Sequence, residues 1–545
     1  MPDSPNRDIH ATRRYHQDTS HSYWSVRRSG RELDWPNYPR PFKIYPQLDP
    51  IPLPREFPPT SVPALAVHGH EMRGPATPNE AKGPVPAPAV LASSPTLAQL
   101  AALLYYSAGV TRRRSWPGGE IYFRAAACTG ALYEIELYLV AADLDALPAG
   151  VYHFSPADFS LRRLRAGDWR GVLARATASH PDVLQAPVAI LATGIYWRNA
   201  WKYGARTYRH FGWDNGTIHA NLLAMAAAHH LPARLVLGFA DESMSRLLDL
   251  DGEKEVPLSI VALGAGAAQP APAPDEIPRL HFETLPASAE EVDYPEMRAM
   301  HASTLLTDSA EVLAWRAAAS QLPPAQPAVA APQESVILFP EAGPEATSNE
   351  PRATDHDAGA TLESVILRRG SSRRFSHQPI TLNQLSIALE FATRPLAADF
   401  LATGERLNDL YVIANAVEGL AAGSYVFARD PLRLERLKAG VFRDQARYLA
   451  LDQALAGDAA AAVFFLADLE AILARLGNRG YRAVQLEAGI LGGRLYLAAY
   501  AQRLGATGLT FYDDDVVEFF SPHAAAKAAI FLVTLGHPAK RLRTL

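Results

Sequence analysis

The sequence holds a single cysteine, Cys128, which excludes an intrachain disulfide and makes a reducing cytoplasm the expected compartment. No apolar run is long and uninterrupted enough to span a bilayer, so no membrane partner is expected. The segment Met1-Pro2-Asp3-Ser4-Pro5-Asn6-Arg7-Asp8 lacks the apolar core of a secretory signal. Positive charge is not in excess: the formal net charge is −5, and nucleic acid is not the expected partner. No H-E-x-x-H motif occurs. His68-Gly69-His70-Glu71 has no third ligand cluster, so a loop is expected there and no metal site. Gly264-Ala265-Gly266 is not followed by a helical pattern and reads as a turn at a strand end, not a nucleotide loop.

Proline is abundant, with 43 residues clustered at the joins of a 545-residue chain long enough for at least two domains. Four segments follow. Residues 1–80 are polar and aromatic and read as an extended arm lying over another surface. Residues 81–265 form a first domain. Residues 266–355, rich in Ala, Pro, Glu and Ser, read as a stiff spacer with one short helix near Ala310–Ala319. Residues 356–545 form a second domain. In the first domain, Thr96 precedes apolar residues at helical spacing. Strands are expected at 132–140, 147–154, 186–192 and 257–263, and a long buried helix from about Tyr203 to His230.

The second half repeats the first. Leu147, Gly150, Tyr152 and Phe154 recur 273 positions later as Leu420, Gly423, Tyr425 and Phe427. Tyr208-Arg209, Gly216 and Leu231 recur at the same spacing as Tyr481-Arg482, Gly489 and Leu504. Thr96-Leu97-Ala98-Gln99-Leu100 matches Thr381-Leu382-Asn383-Gln384-Leu385 at a spacing of 285.

The two copies differ in a complementary way. In the second, Arg369, Ser371 and Arg373 alternate just before a helix. Two guanidinium forks and a hydroxyl suit a phosphate monoester. The first copy has Pro84, Pro86 and Pro88 at those positions, which offer neither charge nor backbone donor. Conversely, the first copy has Ala127-Cys128-Thr129-Gly130, small residues that let a flat ring approach, where the second has the bulkier and charged Phe400-Leu401-Ala402-Thr403-Gly404-Glu405-Arg406. Lys202-Tyr203 of the first becomes Arg475-Leu476 of the second. Cys128 reads as a small buried residue rather than a reactive nucleophile.

These segments resemble the SagB-type thiazole/oxazole dehydrogenases, a branch of the nitroreductase-like FMN flavoproteins, present here as a tandem duplication. The resemblance rests on Arg369 to Phe375, on 124–140, on 147–154, and on Lys202-Tyr203-Gly204 through Gly216. It implies an α+β fold of two nitroreductase-like domains, each a mainly antiparallel sheet flanked by helices, paired as an intrachain pseudo-dimer. It implies FMN as cofactor, with phosphate ligands Arg369, Ser371 and Arg373 from one copy and ring contacts Cys128, Thr129 and Gly130 from the other. Gly508 and the C-terminal Lys540 and Arg541 join the expected FMN contacts. Lys202 and Tyr203 match the pair that deprotonates an azoline, with Arg206 and Arg209 expected to lower the lysine pKa. The family's usual Pro-Ser-Gly-Gly loop is replaced by Ala127-Cys128-Thr129-Gly130. The implied activity is oxidation of an azoline to an azole in a peptide or small-molecule heterocycle, beside a cyclodehydratase partner. An NAD(P)H-dependent nitro- or ene-reductase and a flavin-free scaffold subunit are the alternatives.

Overall fold

A computed structural model describes residues 4–28, 32–67, 93–117, 119–321, 334–339 and 359–539. His68 to His70, Glu71, the three prolines at 84, 86 and 88, Lys540 and Arg541 lie outside the described residues. Two seven-stranded antiparallel sheets, one per copy, are flanked by helices. The first runs in the order β1-β6-β5-β4-β7-β9-β8, with β1 Pro50–Pro52, β4 Ile135–Ala141, β5 Gly150–Ser155, β6 Ser160–Ala166, β7 Val188–Ile195, β8 Ala233–Val236 and β9 Glu255–Leu263. Strands β2 (Val110–Trp116) and β3 (Gly119–Arg124) pair with each other as a separate hairpin. The second sheet repeats the order as β10-β15-β14-β12-β16-β18-β17, with β10 Ser335–Ile337, β12 Asp409–Ala414, β14 Gly423–Arg429, β15 Leu432–Ala439, β16 Ala461–Ala467, β17 Gly505–Gly508 and β18 Ala528–Gly536. The short β11 (Ile380–Thr381) and β13 (Val417–Glu418) pair beside it.

Local sequence explains the matching ends. Thr96 and Thr381 each close a capping box with a glutamine three residues on, so Leu97–Ala108 and Leu382–Ala392 start at equivalent points. The central strands β4, β9 and β16 are buried along their whole length, and β7 up to its last residue, Ile195, as their largely apolar runs require. The long helix expected from Tyr203 begins at Thr207, after a break where Gly204 takes φ 56°, and ends at Ala228. Its counterpart is Arg479–Ala501.

These two central helices cross on the pseudo-twofold axis. A side-chain carbon on Gly216 would come within 2.5 Å of the Gly489 backbone, and one on Gly489 within 2.5 Å of the Trp213 carbonyl. Two backbones meet where only glycine fits.

The extended arm and the spacer take on a different form. Neither is a plain linker. Residues His10–Asp18 form a helix, and so do Pro295–Ser303, at the 285 spacing of the two capping boxes. Edge strands β1 and β10 stand at that same spacing and pair with the equivalent strands β6 and β15. Each copy therefore starts with its own helical extension, and the spacer is the extension of the second copy. The sequence signal was present but faint: Arg13, His16 and Thr19 recur as Arg298, His301 and Thr304.

The 285 spacing at the capping boxes falls to 273 from the β4/β12 region onward, so the first copy holds twelve additional residues in between. That stretch contains the β2–β3 hairpin, and the second copy runs directly from its helix into residues 393–399.

Candidate functional site

The residues expected to form a composite site come from both copies, and each set has its own local framework. From the first copy, Gly130 takes φ 66° in a short turn, and a side-chain carbon there would meet the Tyr203 hydroxyl at 3.1 Å. Tyr203 ends the helix Tyr196–Tyr203, and the Lys202 ammonium lies 5.2 Å from its ring centroid. Asp214, on the central helix, fixes the turn from beneath. Its carboxylate accepts from the Thr129 amide at 2.8 Å and from the Thr129 hydroxyl at 2.9 Å. Thr217 adds a hydrogen bond to the Ala127 carbonyl at 2.6 Å. Glu487, the counterpart of Asp214, holds the equivalent second-copy loop through the amides of Leu407 and Asn408.

Cys128 donates to Asp214 at 3.3 Å and receives the Tyr133 amide at 3.1 Å. Burial, then the adjoining Asp214 and Glu134, push its thiol well above the usual range, so it is a neutral packing group and not a nucleophile. Cys128, Glu134 and Asp214 converge closely enough to resemble a ligand set. Burial raises both carboxyl groups, however, and Asp214 is already committed to Thr129.

From the second copy, the Ser371 hydroxyl lies 3.2 Å from the Tyr496 hydroxyl, which in turn accepts from the Gly508 amide at 2.7 Å. Tyr496 thus joins two of the expected cofactor contacts. Sequence reading missed it, although the first copy has Leu223 in its place. Arg373 is exposed and reaches across toward the first copy: its charge acts on both Lys202 and Tyr203. Desolvation, followed by Arg373, pulls the Lys202 ammonium below the ordinary lysine range. Burial, then Asp214, Cys128 and Glu134, raise the Tyr203 phenol, so it is a proton donor at neutral pH.

Arg369 is turned partly away from this cleft. Its Nε donates to the Ala125 carbonyl at 2.7 Å, and its Nη2 donates to those of Arg124 and Ala126 at 2.9 and 3.1 Å. Its Nη1 makes no hydrogen bond among the described residues. Arg369 therefore latches the second copy onto the first and keeps half a fork for a ligand.

Arg206 and Arg209 do not act on Lys202. Both bind Asp513 of the second copy, at 3.0 and 2.6 Å, in a buried cluster closed by the first helical extension. The Lys202 shift comes first from desolvation and then from the facing copy's Arg373.

The symmetry-related cleft is closed. Arg475, in the place of Lys202, is half-buried and ion-paired to Glu405. Leu476, in the place of Tyr203, is fully buried, and its carbonyl accepts the Trp315 indole N–H at 2.9 Å. Trp315 comes from the second helical extension and packs against Gly238. The segment 397–399 lies along Leu235, and the Asp399 carboxylate accepts from the amides of Leu237 and Gly238 at 2.8 Å.

The sequence profile of the nitroreductase family matches both halves, over residues 92–265 and 366–537. The chain belongs to the nitroreductase family. A candidate nitroreductase of Methanocaldococcus jannaschii is 28% identical over 173 residues, 32% of this chain and 82% of its own length. The crystal structure of a candidate nitroreductase from Anabaena variabilis superposes with a TM-score of 0.73 at 25% identity, over 97% of this chain and 99% of its own. The doubled nitroreductase architecture, extensions included, is thus shared by that protein. Among the described residues, no helix is long and apolar enough to cross a membrane.

Proposed function

We propose that this nitroreductase-family oxidoreductase is an FMN-dependent dehydrogenase that oxidises an azoline-type ring in a peptide or related natural product. The observation that carries this reading is the meeting of Arg373 of one copy with Lys202 and Tyr203 of the other above the Gly130 turn.

The donor set fits the cofactor. Arg373 is unpaired among the described residues, Arg369 has a free Nη1, and Ser371 and the buried, partnerless Ser372 hydroxyl lie between them. Such forks and hydroxyls suit a phosphate. The Gly130 turn, bare of a side chain, lets Tyr203 pack directly on its backbone, where a side-chain carbon would meet the hydroxyl at 3.1 Å. Bound FMN would supply the acceptor for the hydride that leaves the azoline. Lys202, deprotonated more readily than an ordinary lysine, takes the ring proton, and the Tyr203 hydroxyl beside it orients the base and returns a proton to bulk. Asp214 keeps the turn below them in place through Thr129.

A simple nitro- or ene-reductase does not need a lysine with a lowered pKa at this position. A flavin-free scaffold does not account for one open cleft retaining a complete donor set beside a closed one. A cyclodehydratase, which makes azolines, is the partner this chemistry calls for.

The test is direct. The purified protein should be yellow and should convert an azoline-bearing peptide to the azole, seen as loss of H2 by mass spectrometry, with Lys202→Ala inactive but still flavin-bound. Rapid NADPH oxidation without azoline turnover would replace this reading with the reductase.

A further inference from the structure

We propose that Arg112, carried by the hairpin found only in the first copy, is an additional phosphate-binding residue of the composite cleft. This rests on the FMN reading above. The Arg112 Nη2 atom lies 3.6 Å from where a side-chain carbon on Gly370 would begin, which sets its guanidinium against the backbone between Arg369 and Ser371. It is exposed and makes no hydrogen bond or ion pair among the described residues. Its stem packs on Phe123, with the guanidinium carbon 5.3 Å from the ring centroid. The neighbouring Arg113 is spoken for, paired with Glu120 at 3.6 Å.

Arg112 and Arg369 thus face one another as cations, and neither has a carboxylate partner among the described residues. Arg369 is held below its ordinary value by burial, with the like charge of Arg112 contributing. Two guanidinium groups thus meet beside Gly370, on the loop that also carries Ser371 and Arg373. A dianionic phosphate monoester is the ligand that offsets such a cluster, whereas a neutral flavin gains nothing from it. The hairpin supplies charge from the first copy to a clamp otherwise built by the second. Arg369 spends most of its fork on the carbonyls of residues 124–126, the segment where the hairpin ends, and Arg112 makes up the deficit.

The experiment compares FMN with riboflavin, which lacks the phosphate. Full-length protein stripped of flavin is titrated with each by flavin fluorescence, for wild type, Arg112→Ala and the hairpin control Arg114→Ala, with thermal melting of all three. Arg112→Ala is expected to weaken FMN by about tenfold to a hundredfold and to leave riboflavin unchanged, because a charge-assisted contact to the phosphate is lost. It should also make FMN binding less salt-sensitive. Arg114→Ala should match wild type. FMN affinity unchanged in Arg112→Ala overturns the proposal, and so does an equal loss for FMN and riboflavin, which would mark a structural role for the hairpin. A wild-type protein that binds neither flavin overturns the FMN reading itself.

Discussion

Arg209 of the first copy binds Asp513 of the second at 2.6 Å, and their counterparts Arg482 and Asp241 bind at 2.7 Å in the reverse sense. Each pair is fully buried and sealed by a helical extension. His16 and Thr19 close the first node, and His301 and Thr304 close the second. The backbones of His21 and Leu306 each exchange two hydrogen bonds with the corresponding aspartate. The pseudo-dimer is therefore locked by two equivalent charge nodes, each built from both copies and one extension.

Breaking a node should be expensive. In Asp513→Ala, Arg206 and Arg209 stay buried without their counter-ion, and the loss is expected to be about 3–5 kcal/mol. Burial opposes the Asp513 charge, but the two arginines outweigh it and hold its carboxyl far below the usual range. Urea denaturation of Asp513→Ala and Asp241→Ala should give similar losses, because the nodes are equivalent. A loss confined to one of them would show that the extensions do not seal both alike.

The nodes also set a pH dependence. Burial, then Arg482, lower the His301 imidazole to about 3. The unfolded chain binds a proton near pH 6.5 that the folded chain refuses, so stability is lost as pH falls from about 6.5 toward 3. The slope for one such histidine approaches 1.4 kcal/mol per pH unit. His301→Gln should flatten the dependence of stability on pH in that window by about one proton, as read from denaturation curves at pH 6.5 and 4.5. An unchanged slope would mean that His301 takes up its proton in the folded state.

Much of this architecture could be read from the sequence. The 273 spacing identified the duplication because core strands and central helices admit few insertions, and Gly216 and Gly489 are fixed by a helix crossing that excludes a side chain. Complementary loss singled out one set of residues, of which Gly130, Tyr203 and Lys202 lie side by side and Arg373 acts on the last two from the other copy. The extensions were misread because surface helices tolerate change: of Arg13, His16 and Thr19 only the last two are held by the node, too sparse a pattern to stand out among prolines. The direction of Arg206 and Arg209 was invisible for another reason. Their partner Asp513 lies about 300 positions away in sequence, and nothing in local spacing distinguishes an interface ion pair from a pKa-tuning cation.

Lys202 should control turnover and its pH profile without holding flavin. Lys202→Ala is expected to retain FMN and lose activity by about 100- to 10,000-fold, the usual contribution of a positioned acid or base. In the wild type, kcat/KM should rise with pH to a plateau below the ordinary lysine pKa, because desolvation and Arg373 lower it. Loss of flavin in Lys202→Ala would point to a binding role. A pH-independent kcat/KM would remove the lysine from proton transfer.

The open and closed clefts predict one FMN per chain. A symmetric pair of nitroreductase domains offers two equivalent sites, and a fused pair has no topological reason to lose one. The proposed site draws Arg373, Ser371 and Gly508 from the second copy and Gly130 from the first. In the second cleft, Trp315 sits over Leu476, Arg475 is consumed by Glu405, and Asp399 caps the amides of Leu237 and Gly238. A flavin entering there would have to displace a buried indole and meet carboxylates, which repel its phosphate. Trp315→Ala should cost about 3–5 kcal/mol of stability, as removal of a buried tryptophan does, and still not create a second site, because the first copy has Pro84, Pro86 and Pro88 where the second has Arg369, Ser371 and Arg373. The measurement is flavin released on denaturation per mole of protein. A ratio near one is expected for wild type and for Trp315→Ala. A wild-type ratio near two would overturn the composite-site arrangement, whereas two only in Trp315→Ala would mean that the indole alone had kept the second cleft closed.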